Sequence, residues 1–519
     1  MIQGCAQASA KKMGKEKGNT MRPLSKSKLI AFRQCPKRLW LEIHRPDLLE
    51  WSTQAQANFQ VGHEVGKIAQ GLYNPKGKGV VFDPAEEGYD EVVVRTASLI
   101  ESSQPIFEAG FSAGGARAYV DVMLPMRRNG QKVWRMVEVK SSSEVKDIYK
   151  DDIAIQTYIT RASGINLHSV ALAHINSQWV YPGGGDYAGL LTEVDQTEEA
   201  FSREEEVKGW IAEAQAIARK RKEPQIDVGR HCDKPYSCGF LDYCQRNAVA
   251  AEHPVTCLPG SKNNKLRNLI DVEGVSDLSE VPDEFLNSKQ LRVKTHTLAG
   301  TVYFDADGAT TALAQHKLPA LFLDFETIAP AVPIWKGTRP FQKIPFQFSL
   351  HRLLRTGKLT QQAFLDLSGK DPSRKFAEAL IAACGERGPV FVYSSFEGTI
   401  IRDLAQRFPR LARPLLDIKE RLVDLMPIAT KHYYHPDQQG SWSIKKVLPT
   451  IAPDLSYEDL GEVQDGGMAM TVYLEAIHPE TDASRKGEIE RKLLAYCHRD
   501  TEAMVRLWQH FTGRADLAR

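Results

Sequence analysis

Three groupings of residues in this 519-residue chain have the types and spacing that chemistry requires. In the stretch WRMVEVK, a strand period of two puts Met136, Glu138 and Lys140 on one face and Val137 and Val139 on the other. Asp121, seventeen positions before Glu138, lies in RAYVDVML and can bring a second carboxylate to the same cluster across a hairpin. Two carboxylates suit a hard divalent cation, Mg²⁺ or Mn²⁺, and an adjacent lysine can orient and help deprotonate a metal-bound water. That is the equipment of phosphodiester hydrolysis. Taken alone, a Glu-x-Lys is more commonly a surface ion pair on an amphipathic strand, so its order relative to other motifs has to decide.

The second grouping is HCDKPYSCGFLDYC, which spaces Cys232, Cys238 and Cys244 evenly. Three thiolates and a fourth ligand hold either zinc or a 4Fe-4S cluster, and spacing leaves both open. His231 would make a Cys₃His zinc site, and Cys257 is a candidate fourth ligand. In the third grouping, LFLDFET, Asp324 and Glu326 share one strand face while Leu323 and Phe325 take the other. Two like charges about 7 Å apart at the end of an apolar strand have an electrostatic reason to bind cations. Far along the chain, YCHRD sets Tyr496 and Asp500 four apart on one helix face, where a tyrosine hydroxyl can orient an attacking water.

The elements that must position these groups are legible in outline. LSKSKLIAFRQCPKRLWLEI has helical apolar spacing broken by a proline after Cys35, and a further helix is expected over 59–72. RAYVDVML and WRMVEVK alternate around Asn129 and Gly130, a hairpin signature. DIYKDDIAIQTYITRAS then predicts a helix and SVALAHI a covered strand. PALFLDFET predicts a strand, GPVFVYSSFEGTIIRDLAQRF a strand followed by a helix, and a last helix is expected over about 484–511. RPFQKIPFQFSLHR interleaves basic and aromatic residues, as either a stacking surface for single-stranded nucleic acid or an amphipathic strand would. KHYYHP reads as a packed turn or a ligand-binding loop, and Asp424 in RLVDLM as a helix-start acid.

The order Asp121, Glu138, Lys140, then Gln156 with Tyr158 on the following helix, resembles the RecB-like PD-(D/E)XK nucleases. Val120 stands where proline gives that pattern its name. The resemblance implies that Asp121 and Glu138 hold metal, that Lys140 positions water, and that Gln156 orients the site or the strand. Members with an iron-sulfur staple, such as the AddB type and the CRISPR-associated exonucleases, carry one cysteine ahead of the nuclease core and three after it. Cys35 in FRQCPKRLW and the triplet Cys232, Cys238 and Cys244 fit that layout, and a histidine ahead of the core, here His63 in VGHEVG, is a further expected ligand, with Glu64 as its competitor.

Asp324 and Glu326 followed by Tyr496 and Asp500 resemble the DnaQ-like, RNase H-like exonucleases of the DEDDy kind. The middle acid of that pattern falls on YSSFEG, where Glu397 replaces the usual Asp. The resemblance implies that Asp324, Glu326, Glu397 and Asp500 hold metals and that Tyr496 places a water. Together with RLVDLM, GSWSIKKVLP and LLAYCHRDTEAMVRL, the LFLDFET strand also resembles a C-terminal domain of undetermined function that follows RecB-like nuclease domains.

The expected fold is therefore α/β: a restriction-endonuclease-like core, then an RNase H-like mixed sheet flanked by helices. The expected domains are a disordered basic tail over 1–20 with Met21 as a possible initiator, a nuclease domain over 21–255, a helical connector over 256–317 and an exonuclease-like domain over 318–519. Composition, with 42% hydrophobic and 25% charged residues, excludes fibrous and wholly disordered chains. Eight cysteines are too few for a disulfide framework, and neither a signal peptide nor a membrane span is expected, which places the protein in the cytoplasm. The net charge of +2 averages a basic edge, ten Lys or Arg against one acid over residues 1–38, with acids elsewhere. The expected partner is DNA, single-stranded or with free ends, together with repair or defence proteins. The alternative is a scaffold that binds nucleic-acid ends with one or both sites inactive.

Overall fold

The computed structural model describes residues 23–246, 251–260, 262–457 and 460–517. The expected tail over 1–20 and Met21 lie outside the described residues. The chain is a mixed α/β protein that divides into two compact units. The first takes 23–50, 65–174 and 191–241, and the second takes 51–64, 175–190 and the described residues from 242 onward.

Seven strands build the sheet of the first unit: β1 (Leu24–Ser25), β2 (Val80–Val81), β3 (Ile106–Ala113), β4 (Ala116–Arg128), β5 (Gln131–Lys140), β6 (Leu167–Ile175) and β7 (Leu191–Asp195). They run in the order β2-β3-β4-β5-β6-β7, with β1 added beside β4. Asn129 and Gly130 adopt φ of 49° and 80°, so the β4–β5 hairpin closes in a two-residue turn whose twist suits the strands. The Asp147–Ala162 helix carries the chain from β5 to the parallel β6. Alternation along β5 sends Met136 into a core with Leu29, Phe32 and Ile153, and sends Val137 to the opposite face with Phe107, Val122 and Ala171. The helices Lys26–Gln34 and Pro36–His44 are separated by Cys35 alone, which is extended (φ −161°) because Pro36 cannot continue the first helix and favours starting the next.

The second unit has a five-stranded sheet in the order β11-β10-β9-β12-β13, and a separate antiparallel pair. Its strands are β8 (Tyr303–Phe304), β9 (Ala320–Ile328), β10 (Ile344–Leu353), β11 (Leu359–Leu365), β12 (Val390–Val392), β13 (Leu422–Asp424) and β14 (Tyr433–Tyr434). β9 is antiparallel to β10 and parallel to β12. Leu321, Leu323 and Phe325 pack with Phe376, Leu380 and Ile400 on one face. Ala320, Phe322 and Ile328 face the other way, in the core that holds Leu493, Met504 and Trp508 of the Ala483–Thr512 helix.

Four expectations change. The stretch 256–317 does not stand apart as a connector: Leu258, Leu266, Leu278, Val293 and Leu313 share a core with Phe322 and Tyr433, and Tyr303 pairs with Tyr434. Each short apolar group there buries one face against its neighbours, a pattern too brief for periodicity to show. The stretch 175–190 leaves the first unit, and Tyr181 exchanges backbone hydrogen bonds with Gly337 and Thr338 (2.8 and 3.0 Å). RPFQKIPFQFSLHR divides: from Ile344 it is β10, which lies between β9 and β11 with Phe346 and Phe348 covered and is not amphipathic, whereas Phe341 is exposed between the exposed Arg339 and Lys343. KHYYHP is not a turn: it spans the end of the Leu425–His432 helix and β14, with His432 against Asp305 at 2.8 Å and both tyrosines buried. Among the described residues no helix is long and apolar enough to cross a membrane.

Candidate active sites

In the first unit, β4, β5 and the Asp147–Ala162 helix bring Asp121, Glu138, Lys140 and Gln156 together. Glu138 is 1% exposed and is held from three sides. Gln156 Nε2 donates to its Oε2 at 2.6 Å, and Lys140 Nζ donates to its Oε1 at 2.6 Å. Asp121 Oδ2 accepts from the backbone N–H of Val139 at 2.7 Å, which fixes the carboxylate against β5.

Three further members escaped the motif reading. Asp152, one helical turn before Gln156, accepts from Lys140 Nζ and lies 3.2 Å from Lys26 Nζ. Lys26 also donates to Glu138 Oε1 at 3.1 Å. Glu108 on β3 lies between the pairs Phe107↔Val122 and Ala109↔Val120 of the β3–β4 register and has the left-handed φ of 55°, rare for a residue with a side chain. Burial by itself would depress both lysine pKa values, yet the charges of Asp152 and Glu138 outweigh it and hold Lys26 and Lys140 above the usual lysine range. Burial would likewise raise Asp152, but the two ammonium groups hold it below the usual carboxylate range. Asp121 lies well above that range, through burial and then the charge of Glu138. His63 and Glu64 are exposed on the Thr53–Tyr73 helix, in the stretch 51–64 that belongs to the second unit.

The first unit also assembles cysteines. Cys232 ends the 3-10 turn Arg230–Cys232, and its carbonyl accepts from Cys238 N–H at 2.7 Å. Gln34, beside Cys35, donates through Nε2 to the carbonyls of His231 (2.8 Å) and Tyr236 (2.6 Å), so the cysteine loop docks on the junction of the first two helices. Burial pushes the Cys232 and Cys238 thiols up, and the proximity of Cys35 adds to both shifts. Cys35, Cys232 and Cys238 form no disulfide, so their thiols remain a soft donor set. Cys244 follows on the short Leu241–Arg246 helix. Cys257, the alternative fourth ligand, is buried in the core of the second unit. Tyr236 of the same loop is hydrogen-bonded with Tyr149 and lies within electrostatic reach of Lys140 and Asp152, linking the cysteines to the acid-lysine cluster.

In the second unit, Asp324 and Glu326 project from β9 toward the Ala483–Thr512 helix, which supplies Tyr496, Cys497 and Asp500. Ligand atoms of Asp324, Glu326 and Cys497 lie within 4.8 Å of one another, a spacing that can hold a cation. Cys497 Sγ donates to the Asp324 carboxylate at 3.6 Å. Glu397, in the first turn of the Phe396–Arg407 helix, is 3% exposed and accepts from Ser394 Oγ at 3.3 Å. Burial raises all four acids, and repulsion from neighbouring acids adds to it at Asp324, Glu326 and Glu397: Asp324 and Glu326 lie well above the carboxylate range, Glu397 is pushed up to about 7 and Asp500 to about 6. The Asp500 shift is restrained by Tyr457, whose hydroxyl donates to its Oδ1 at 2.6 Å, then by the charge of Lys445, then by Tyr496. Lys445 Nζ stands 5.3 and 5.1 Å from the Tyr457 and Tyr496 ring centres. Four buried acids with so little compensating charge either stay protonated or attract cations. Asp424 is a helix-start acid, accepting from Met426 N–H at 2.9 Å.

The fold and these clusters define a two-unit α/β protein with one buried acid cluster in each unit. Residues 321–443 match a family described as a domain of unknown function, DUF2779. The match takes in Asp324, Glu326 and Glu397 and ends before Lys445, Tyr457, Tyr496 and Asp500. No curated protein matches the chain.

Proposed function

We propose that this protein is a metal-dependent DNA nuclease of the cytoplasm, with a PD-(D/E)XK-type site in the first unit and a DEDDy-type exonuclease site in the second. The single observation that carries the reading is the convergence of Asp121, Glu138, Lys140 and Gln156, from three separate elements, on one cluster around the buried Glu138. Mg²⁺ or Mn²⁺ bound there would polarise a phosphodiester and lower the pKa of a water. Asp121 and Glu138 would hold the cation, Lys140 would orient the water and Gln156 would fix the Glu138 carboxylate. In the second unit Asp324, Glu326, Glu397 and Asp500 would hold cations, and Tyr496 would place the water. Cys35, Cys232 and Cys238, with Cys244 as the fourth cysteine the sequence offers, would carry a 4Fe-4S cluster, zinc being the alternative. Single-stranded DNA or DNA with free ends is the proposed substrate, in repair, recombination or defence and with protein partners from those processes.

Strand-labelled single- and double-stranded DNA incubated with Mg²⁺ or Mn²⁺ tests this. Lys140→Ala should abolish one activity and Asp324→Ala the other. If the unaltered protein cleaves nothing, or if neither substitution changes what it cleaves, the nuclease reading is wrong. Glu397, one methylene longer than the expected Asp, favours a second reading for the second unit: a site that binds DNA ends without cutting. Salt-dependent DNA binding that survives in Lys140→Ala without any cleavage would support it.

A further inference from the structure

The motif reading gives the first-unit site one lysine, whereas the fold supplies two. β5 pairs with β4 only from Val122 onward, which leaves the start of β4 free to take β1 as a parallel neighbour (Leu24↔Ala116, Ser25↔Arg117). Lys26 follows at once as the first residue of a helix capped by Ser25. Its ammonium is thereby delivered to Glu138 Oε1, the same oxygen that Lys140 contacts. Asp152 receives the same two lysines, one on each oxygen: Lys26 at Oδ1 and Lys140 at Oδ2. Two ammonium groups on one carboxylate oxygen repel each other, and Asp152 supplies the charge that allows it. Glu138 therefore carries a full complement of cationic partners from the chain itself.

We infer that Lys26 is a positioning residue of this site, an internal counter-ion that competes with a divalent cation for Glu138, and that Asp152 is the acceptor that retains both lysines when the cation takes their place. The inference rests on the nuclease reading above. It differs from a structural role for Lys26, as a clamp between helix and sheet, in what it requires of metal affinity.

The test is a Mn²⁺ titration followed by electron paramagnetic resonance, on full-length protein carrying Asp324→Ala and Glu326→Ala so that the second unit does not contribute. Lys26→Met, which keeps the apolar stem, should tighten Mn²⁺ binding by about tenfold or more, since an ammonium at ion-pair distance from a ligand oxygen opposes a second cation there. Lys26→Arg should leave the affinity close to that of the parent. Asp152→Asn should weaken binding, because both lysines would then depend on Glu138. The opposite signs separate this from general damage, which weakens binding in every variant. An Asp121-dependent Mn²⁺ site that Lys26→Met leaves within twofold of the parent, or weakens, overturns the inference alone. Loss of all Asp121-dependent Mn²⁺ binding in the parent overturns the metal reading together with it. If Lys26→Met does not fold, a rise rather than a fall in affinity in Asp152→Asn overturns the inference.

Discussion

Tyr457 Oη donates to Asp500 Oδ1 at 2.6 Å across 43 residues of sequence, so the last acid of the second-unit cluster is held by a second tyrosine besides the one four positions before it. Tyr496 and Tyr457 face each other with ring centres 6.3 Å apart, and both hydroxyls serve the same carboxylate. Burial, and then the charge of Asp500, holds both phenols well above the usual tyrosine range, so they act as donors across physiological pH.

Tyr457→Phe removes the larger of the two hydroxyl supports of Asp500 and leaves a buried carboxylate oxygen without its donor, at a cost of about 1–3 kcal/mol. Measured in a Lys140→Ala background, the remaining exonuclease rate should fall roughly tenfold or more, since about 1.4 kcal/mol is a factor of ten. A Tyr457→Phe rate equal to that of the parent, with Tyr496→Phe inactive, would return the hydroxyl role to Tyr496 alone.

Stability should depend on pH in a direction set by the same acids. Their folded-state pKa values are raised above the unfolded ones, to about 6 for Asp500 and about 7 for Glu397. The contribution of such groups is fully present below the unfolded value near ~4 and is lost as pH rises through the folded values. Metal-free protein should therefore melt at a lower temperature at pH 8 than at pH 5.5. Added Mn²⁺ should raise the melting temperature more at pH 8, where the carboxylates are charged. An equal Mn²⁺ effect at both pH values would exclude these acids as the ligands.

The cysteine loop and the acid-lysine cluster should be separable by mutation. Cys35→Ser should bleach the broad absorption near ~400 nm expected of anaerobically purified cluster-bearing protein. Tyr236→Phe should keep that absorption and still slow Lys140-dependent cleavage, because it removes the hydroxyl shared with Tyr149. Colourless parent protein with stoichiometric zinc would replace the iron-sulfur assignment.

Gly440 sits at φ 73°, and a β-carbon there would fall 1.6 Å from the carbonyl oxygen of Cys257. Gly440→Ala must displace one backbone or the other and should cost more than about 2 kcal/mol. Faster limited proteolysis between 251 and 317 is the readout, and unchanged proteolysis would mean that this stretch is not anchored as described.

The sequence by itself determined what is local. The period of two in WRMVEVK placed Glu138 and Lys140 on one face, Asn129-Gly130 set the hairpin register, Pro36 split two helices at Cys35, and Tyr496 and Asp500 shared a helix face. These follow from repeat geometry and turn chemistry within a few residues. Tertiary structure alone decided which distant groups complete each cluster. Lys26 stands 112 positions from Glu138, Tyr457 is 43 from Asp500, and Cys497 is 173 from Asp324. None of these pairs leaves a periodic trace, because each depends on which strand edge is free and which helix face is turned toward it. The same reason put 256–317 into the core of the second unit: burial is settled by the partners an element meets, which its own spacing does not encode.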